Sequence, residues 1–301
     1  MTETAAAPKS RRQWVVPDET FDDLVFKYTR DISRQVREGR FDPIVGREKE
    51  IQDIMLILLQ RGRKNVAVLG SAGVGKTAIF VKLAQVIHDG QVPDYLKNAR
   101  VIELEMSSMA AGTLTRAEFE GRLLPIIKGA AERNATKELP PIIFAIDELH
   151  TIMRSCDASS ASGVSDILKP YLTAGDLHVL GATTKDEFRD FVAKDPALDR
   201  RFQKIHLDQP SAEESLKILR GICPFYEKHF GITVPDEHLA KITEWTTKFM
   251  PRRTHPDKDI ITLDVSCARQ VMFVGRDTTL DLNYVRETIA VEVGLVAAAV
   301  D

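Results

Sequence analysis

The apolar positions of the chain follow two patterns. Between Asn65 and Pro210, short runs that are apolar nearly throughout ("NVAVLG", "RVIELEM", "PIIFAID", "LHVLGATT", "KIHLDQP") alternate with segments whose apolar residues recur every three or four positions ("KTAIFVKLAQVIHDG", "AEFEGRLLPIIKGAAERN", "SDILKPYLTAG"). The first kind reads as strands buried on both faces and the second as amphipathic helices, which together predict a five-stranded parallel sheet of α/β class covered by helices. Ahead of it, "FDDLVFKYTRDISRQVREG" predicts one helix from Phe21 to a glycine stop at Gly39, and "EIQDIMLILLQRG" predicts another, the two being joined by "RFDPIVGREKE". After Pro210 the strand pattern stops. "SAEESLKILRGICPFYEKHFG" opens with a serine cap and an acidic first turn, and helical spacing continues through "PDEHLAKITEWTTKFM", "DKDIITLDVSCARQVMF" and "NYVRETIAVEVGLVAA". The expected organisation is a disordered segment over residues 1–17, an α/β domain over 18–210 and a small all-α domain over 211–301.

Composition narrows the class. With 301 residues, 44% of them apolar, the chain can fill a globular core, and 41 basic against 44 acidic residues leave a net charge of −3. No overall field draws it to nucleic acid or to an anionic membrane. Cys156, Cys223 and Cys267 are widely spaced and form no metal-binding pattern, as expected of reduced thiols in the cytoplasm. No apolar run approaches the roughly 20 residues that span a bilayer. The opening "MTETAAAPKSRRQW" lacks the apolar segment of a secretory leader, and Glu3 departs from the acid-poor pattern of an organellar one.

The chemistry begins at "GSAGVGKT", Gly70 to Thr77, between a predicted strand and a predicted helix. Glycine spacing of this kind lets the backbone of Ser71, Ala72, Gly73, Val74 and Gly75 curl around a phosphate. Lys76 reaches the β and γ oxygens, Thr77 ligates Mg²⁺, and the helix entered through Ala78 offers its positive end. "PIIFAIDE" ends in two carboxylates: Asp147 is suited to hold Mg²⁺ through water, and Glu148 to orient or deprotonate an attacking water. The neighbouring strand "LHVLGATT" ends in Thr183 and Thr184, either of which could hold the water or the γ-phosphate. Arg200 and Arg201 are adjacent planar donors of the kind that stabilises charge on a transferring phosphoryl group.

The ordered set "DPIVGREKEI", "GSAGVGKTA", "FAIDELH", "LKPYLTAGDLHVLGATTKDEFR", "DRRFQKI" and "HPDKDI" resembles the first ATPase module of Clp-type AAA+ unfoldases and disaggregases over residues 22–275. The resemblance implies a P-loop ATPase with a helical lid, using ATP and Mg²⁺. It gives Asp147 and Glu148 the role of the Walker B pair, Thr184 that of sensor 1, and Arg200 and Arg201 that of arginine fingers acting on a neighbouring subunit's nucleotide. Ile44 and Val45 would wall the adenine, with Ile218 and Pro256 from the lid, and Lys258 falls in the sensor-2 region. Fingers acting in trans imply a ring, usually of six copies.

Two departures qualify the resemblance. Taken at its given length, the chain has no room for an N-terminal substrate domain, a coiled-coil insertion or a second module, so a minimal single-ring protein is expected. In "AGTLTRAEFEGRLL", the loop residues Leu114, Thr115 and Arg116 align where the family touches its substrate, and Thr115 replaces the usual aromatic. A threonine offers one methyl and a hydroxyl, so gripping of proteins in general is not expected. The Ser-rich "MRSCDASSASGVSD", a second candidate loop, has no aromatic either.

The leading expectation is therefore an ATP-hydrolysing ring that remodels or activates a dedicated protein partner. The alternatives are an ATP-controlled scaffold that threads nothing and a nucleic-acid-associated loader, the latter opposed by the scarcity of basic runs. His150 and the pair Trp245 and Phe249 read as structural, and the apolar "IAVEVGLVAAAV" as too short to cross a membrane.

Overall fold

The computed structural model describes residues 14–136, 139–154 and 164–300. Helix α1 (Asp18–Tyr28) starts with an acidic first turn and ends where the amide and hydroxyl of Thr29 both bond the Val25 carbonyl, at 3.1 and 2.6 Å. Strand β1 (Arg30–Asp31) and helix α2 (Ile32–Arg37) follow, with the Asp31 carboxylate capping α2 by accepting from the Arg34 amide at 2.8 Å. The single helix expected from Phe21 to Gly39 is thus broken in the middle. Spacing did not reveal the break because Phe21, Val25 and Ile32 are buried on both sides of it.

Helix α3 (Glu48–Leu58) leads to β2 (Asn65–Leu69), and α4 (Lys76–His88) to β3 (Arg100–Glu103). After α5 (Met106–Ala110), α6 (Arg116–Thr136) and β4 (Ile142–Ile146) come α7 (Leu149–Arg154) and α8 (Val164–Ala174). Strand β5 (His178–Thr183) runs into α9 (Lys185–Glu187) and a π-helical turn, and α10 (Pro196–Asp199) precedes β6 (Phe202–His206). The strand order is β1-β3-β4-β5-β2-β6, all parallel except β1, which pairs antiparallel with β3. The sheet has six strands instead of five because the two-residue β1 is too short to leave an alternating pattern. Residues 1–13 of the segment expected to be disordered lie outside the described residues. At its end Val16 is buried and the Val15 amide donates to the Glu132 carboxylate at 3.0 Å.

Every residue of β2, β4 and β5 is buried, and successive side chains serve opposite cores. Ala67 and Leu69 face the core that contains α1, α6 and α8 residues, whereas Val66 and Val68 face the one that contains α3 and α4 residues. This two-sided burial produces the continuous apolar runs.

The lid begins with α11 (Ala212–Phe230), opened by a reciprocal cap between Ser211 and Glu214 and closed by Gly231 at φ +67°. Strand β7 (Ile232–Thr233), α12 (Asp236–Phe249), α13 (Asp257–Phe273), β8 (Thr278–Thr279) and α14 (Leu282–Val293) complete it. Trp245, Leu219, Ile242, Leu263 and Ile289 share its core. The lid is helical but not all-α, since β7 and β8 form a two-residue parallel pair. The last helix, expected to reach Ala298, stops at Gly294 in a left-handed conformation. No described helix is long and apolar enough to cross a membrane.

His178, 2% exposed at the start of β5, gives the fold a pH signature. Burial, helped by the nearby Lys64 ammonium, pushes its imidazole from 6.5 down to about 3. Between those values the unfolded chain holds a proton at this position that the folded chain does not. The site therefore contributes stability at neutral pH and loses it as the pH falls below the unfolded value, at about 1.4 kcal/mol per pH unit. In denaturant unfolding across pH 4 to 7, His178→Phe is expected to flatten this acid loss by about one proton; a parallel pH dependence in both proteins would refute the assignment.

Candidate functional site

At the carboxyl end of the sheet, β2 continues into a loop whose shape only glycine permits at key points. Gly73 and Gly75 lie at φ +77° and +90°, and a Cβ on Gly70 would sit 2.8 Å from the Leu207 carbonyl. The turn delivers residues 70–75 to the amino end of α4, where free amides and the helix dipole favour an anion. Lys76 Nζ donates to the carbonyls of Gly70 and Ser71 at 3.1 and 2.9 Å, and Thr77 Oγ1 donates to Asp147 Oδ2 at 2.7 Å. That hydroxyl and carboxylate pair fits a hard cation, which takes oxygen ligands and completes its shell with water and phosphate.

Two strands away from β2, β4 presents Asp147 and Glu148. Asp147 Oδ1 accepts the Glu148 amide at 2.9 Å, and Glu148 itself adopts φ +51°, a left-handed conformation rare outside glycine. Its side chain is exposed in the cleft. Between these strands, β5 contributes the two threonines, which the structure assigns different surroundings. Thr184 caps α9, its hydroxyl accepting the Glu187 amide at 3.2 Å. Thr183 is buried, and its hydroxyl donates to Glu187 Oε2 at 3.0 Å and meets His150 Nδ1 at 3.1 Å. Burial raises the Glu187 pKa, but hydrogen bonds from Thr184 and Thr183 outweigh it and hold the carboxyl below its usual range.

The walls come from both domains. Side chains of α4 fix the segment before α3: Lys82 Nζ donates to the Ile44 carbonyl at 2.8 Å, and Gln85 accepts the Ile44 amide at 3.1 Å. Ile44 and Val45 then face Ile218, Ile222, Pro256 and Ile260 of the lid across a cleft of about 550 Å³. Gly221 of α11 packs so closely on Val45 that a Cβ there would collide with it. From the lid, Thr254 Oγ1 donates to the Ala72 carbonyl at 2.7 Å, and a Cβ on Gly73 would lie 2.5 Å from that hydroxyl oxygen. The lid segment is itself anchored by the fully buried Asp259, whose carboxylate meets Ser215, Thr246 and His255 at once.

The cleft brings together Ile44, Val45, Ala72 to Ala78, Asp147, Glu148, Thr183, Thr184, Ile218 and Pro256. Ser71 contributes only its carbonyl, as acceptor for Lys76. Lys258 does not face the cleft. It is 3% exposed, its Nζ donates to the Met250 carbonyl at 3.3 Å, and burial lowers its pKa, so Asp257 and Pro256 line the cleft in its place.

Arg200 and Arg201 also lie outside the cleft, between α10 and β6, and neither guanidinium has an ion-pair partner among the described residues. Leu114 and Thr115 precede α6, far along the chain from any cleft residue. Leu114 is 93% exposed, while Thr115 Oγ1 accepts the Glu118 amide at 3.3 Å and Glu118 Oε2 accepts the Leu114 amide at 2.8 Å. Thr115 thus caps the helix that begins at Arg116. Residues 155–163 of the second candidate loop, with Cys156, lie outside the described residues. Sequence reasoning missed Arg47, whose guanidinium donates to the Val74 carbonyl at 2.9 Å and to the Asp208 carbonyl at 3.2 Å. It also missed Thr254 and Glu187. Their signals, "VGRE", "RRTHPD" and "TTKDE", lay within or beside motifs already noted.

Residues 66–208 match the AAA family, described as the ATPase family associated with various cellular activities, and residues 211–291 match the AAA lid domain. The chain is 42% identical over 243 residues to the chaperone protein ClpB of Meiothermus ruber, covering 81% of this chain and 28% of that protein. It is 39% identical over 256 residues to the chloroplastic ClpB3 of Arabidopsis thaliana, with coverages of 85% and 26%. It thus spans little more than a quarter of the length of these relatives. Among solved structures, the Saccharomyces cerevisiae Hsp104:casein complex aligns with a TM-score of 0.79 at 36% identity, over 90% of this chain and 45% of that one. The S. cerevisiae Hsp104–ADP complex aligns with the same values.

The contact of Thr254 with the loop yields a direct expectation. Gly73→Ala places a methyl group against that hydroxyl and strains a left-handed position, so affinity for an ATP analogue should fall about tenfold or more. Titration with a fluorescent analogue checks this, and an affinity within about twofold of the unsubstituted chain would show that the lid does not need this fit.

Proposed function

The chain belongs to the AAA family of ATPases, and from that premise we propose that it forms a ring, of six copies by the resemblance of its motifs, that couples ATP hydrolysis to remodelling or activating a dedicated protein partner. The observation that carries this reading is the meeting of Lys76, Thr77, Asp147, Glu148 and the paired threonines in one cleft, with Arg200 and Arg201 outside it on the same chain.

In this reading the phosphates lie along the amides of residues 72–75 at the amino end of α4, and Lys76 leaves its carbonyl partners to meet them. Thr77 Oγ1 and Asp147 would hold Mg²⁺, which neutralises negative charge on the phosphate oxygens when bound. Glu148, exposed in the cleft and acceptor-only when ionised, orients the attacking water and takes its proton. The Thr184 hydroxyl has a lone pair committed to the Glu187 amide, which leaves its proton to donate to the γ-phosphate. The guanidiniums of Arg200 and Arg201 are free to serve a neighbouring copy's cleft, and this is the support for a ring. The lid closes the adenine side through Ile218 and Pro256 against Ile44 and Val45.

A protein client is supported by the casein bound to the related Hsp104. In this chain the loop that the resemblance aligns with the substrate contact offers Leu114, one exposed isobutyl group, while Thr115 is engaged as a cap. So small an apolar tip favours a dedicated partner over any unfolded chain. The capped threonine also favours a second reading, in which the nucleotide state controls assembly and nothing is threaded.

Glu148→Gln is expected to slow ATP hydrolysis by about 100-fold or more while retaining nucleotide binding, and undiminished hydrolysis would dispose of the assigned role. Leu114→Ala separates the two readings. A threading ring keeps its ATPase rate and loses its effect on the partner recovered with the Glu148→Gln chain, whereas a switch keeps both.

A further inference from the structure

Glu148 holds a backbone conformation that persists only where its surroundings over-determine it. On its amino side the restraint is the bond from its amide to Asp147 Oδ1 at 2.9 Å. On its carboxyl side, its carbonyl accepts the amide and hydroxyl of Thr151 at 2.8 and 2.9 Å, which fixes the first turn of α7 but not where that turn sits. The turn is located by His150, 7% exposed, whose Nδ1 lies 3.1 Å from Thr183 Oγ1 and 3.3 Å from Glu187 Oε2, with its ring against Phe191 at 5.9 Å. Thr183 has one proton and gives it to Glu187, an acceptor-only group when ionised. His150 must therefore donate from Nδ1, which assigns the tautomer and completes a directed chain from His150 through Thr183 to Glu187. The same Oε2 also accepts the Thr184 amide at 2.9 Å.

We infer that Glu187 is a positioning residue for hydrolysis: through Thr183 and His150 it locks α7 to the tip of β5 and so aims Glu148 at the water. This rests on the proposed role of Glu148 as the base. Glu187 lines the cleft, but in this role it acts through Thr183 and His150 and not by contact with the reacting atoms, and a misplacement of about 1 Å in the base it aims is enough to cost up to about 100-fold in rate.

The test uses the full chain with Glu187→Ala, His150→Leu, the double variant and Glu187→Gln, measuring kcat, KM for ATP and affinity for a non-hydrolysable ATP analogue. Each single variant should lower kcat by about 10- to 100-fold with analogue affinity within about twofold, and the double variant should be no slower than the worse single, since both break one chain. Glu187→Gln, which keeps an acceptor oxygen, should recover most of the loss. Drops that multiply in the double variant, affinity that falls in step with kcat, or Glu187→Ala turning over at the unsubstituted rate would each overturn the inference. If Glu148→Gln hydrolyses normally, the role of Glu148 fails first and the inference falls with it. Normal loss in Glu148→Gln with an unaffected Glu187→Ala sinks the inference alone.

Discussion

One backbone hydrogen bond, from the Gly70 amide to the Thr183 carbonyl at 3.2 Å, marks the constraint on which the rest depends. It is the last rung of the β2–β5 ladder, in which Leu69 stands opposite Thr183. Because β5 lies between β2 and β4, the loop that follows β2, the threonines that end β5 and the carboxylates that end β4 emerge side by side. Strands β2 and β4 end in apolar residues and β5 turns polar only at its last residue, Thr183, so polar chemistry starts where the sheet stops. Burial on two faces thus fixes the positions of groups that take no part in burial.

The second half of the site is built by a separate core. The lid packs around Trp245, and the buried Asp259 ties α11, α12 and α13 into one body. That body meets the α/β domain through close fits: Gly221 against Val45 and Thr254 against the glycine loop. The cleft is therefore a joint between two independently packed units, and its width depends on small residues at the seam.

What the sequence revealed was whatever is encoded in contiguous residues. The glycine spacing of residues 70–77, the carboxylates after an apolar run and the strand-helix alternation all fall in this class. Two-residue elements such as β1, β7 and β8 leave no periodicity to detect. Lys258 falls in the region that the resemblance gives to sensor 2, but the helical phase of α13 turns it inward, a fact only the packed lid decides. Arg47 and Thr254 act on carbonyls 27 and 182 residues away, and no local pattern announces such a partner. Thr115 is a mixed case. The missing aromatic was visible, but its use as a helix cap depended on Glu118 folding back over the same turn.

Arg47 has a consequence for how the two halves communicate. Its guanidinium holds the Val74 carbonyl in the phosphate loop and the Asp208 carbonyl in the connector that leads, through Pro210, to the cap of α11. The connector is the stretch of chain between β6 and the first helix of the lid. One side chain, which itself lines the nucleotide cleft, therefore ties that connector to the phosphate loop. The positions of the connector and the loop are thereby set relative to one another by a planar group with a hydrogen-bond donor on each arm.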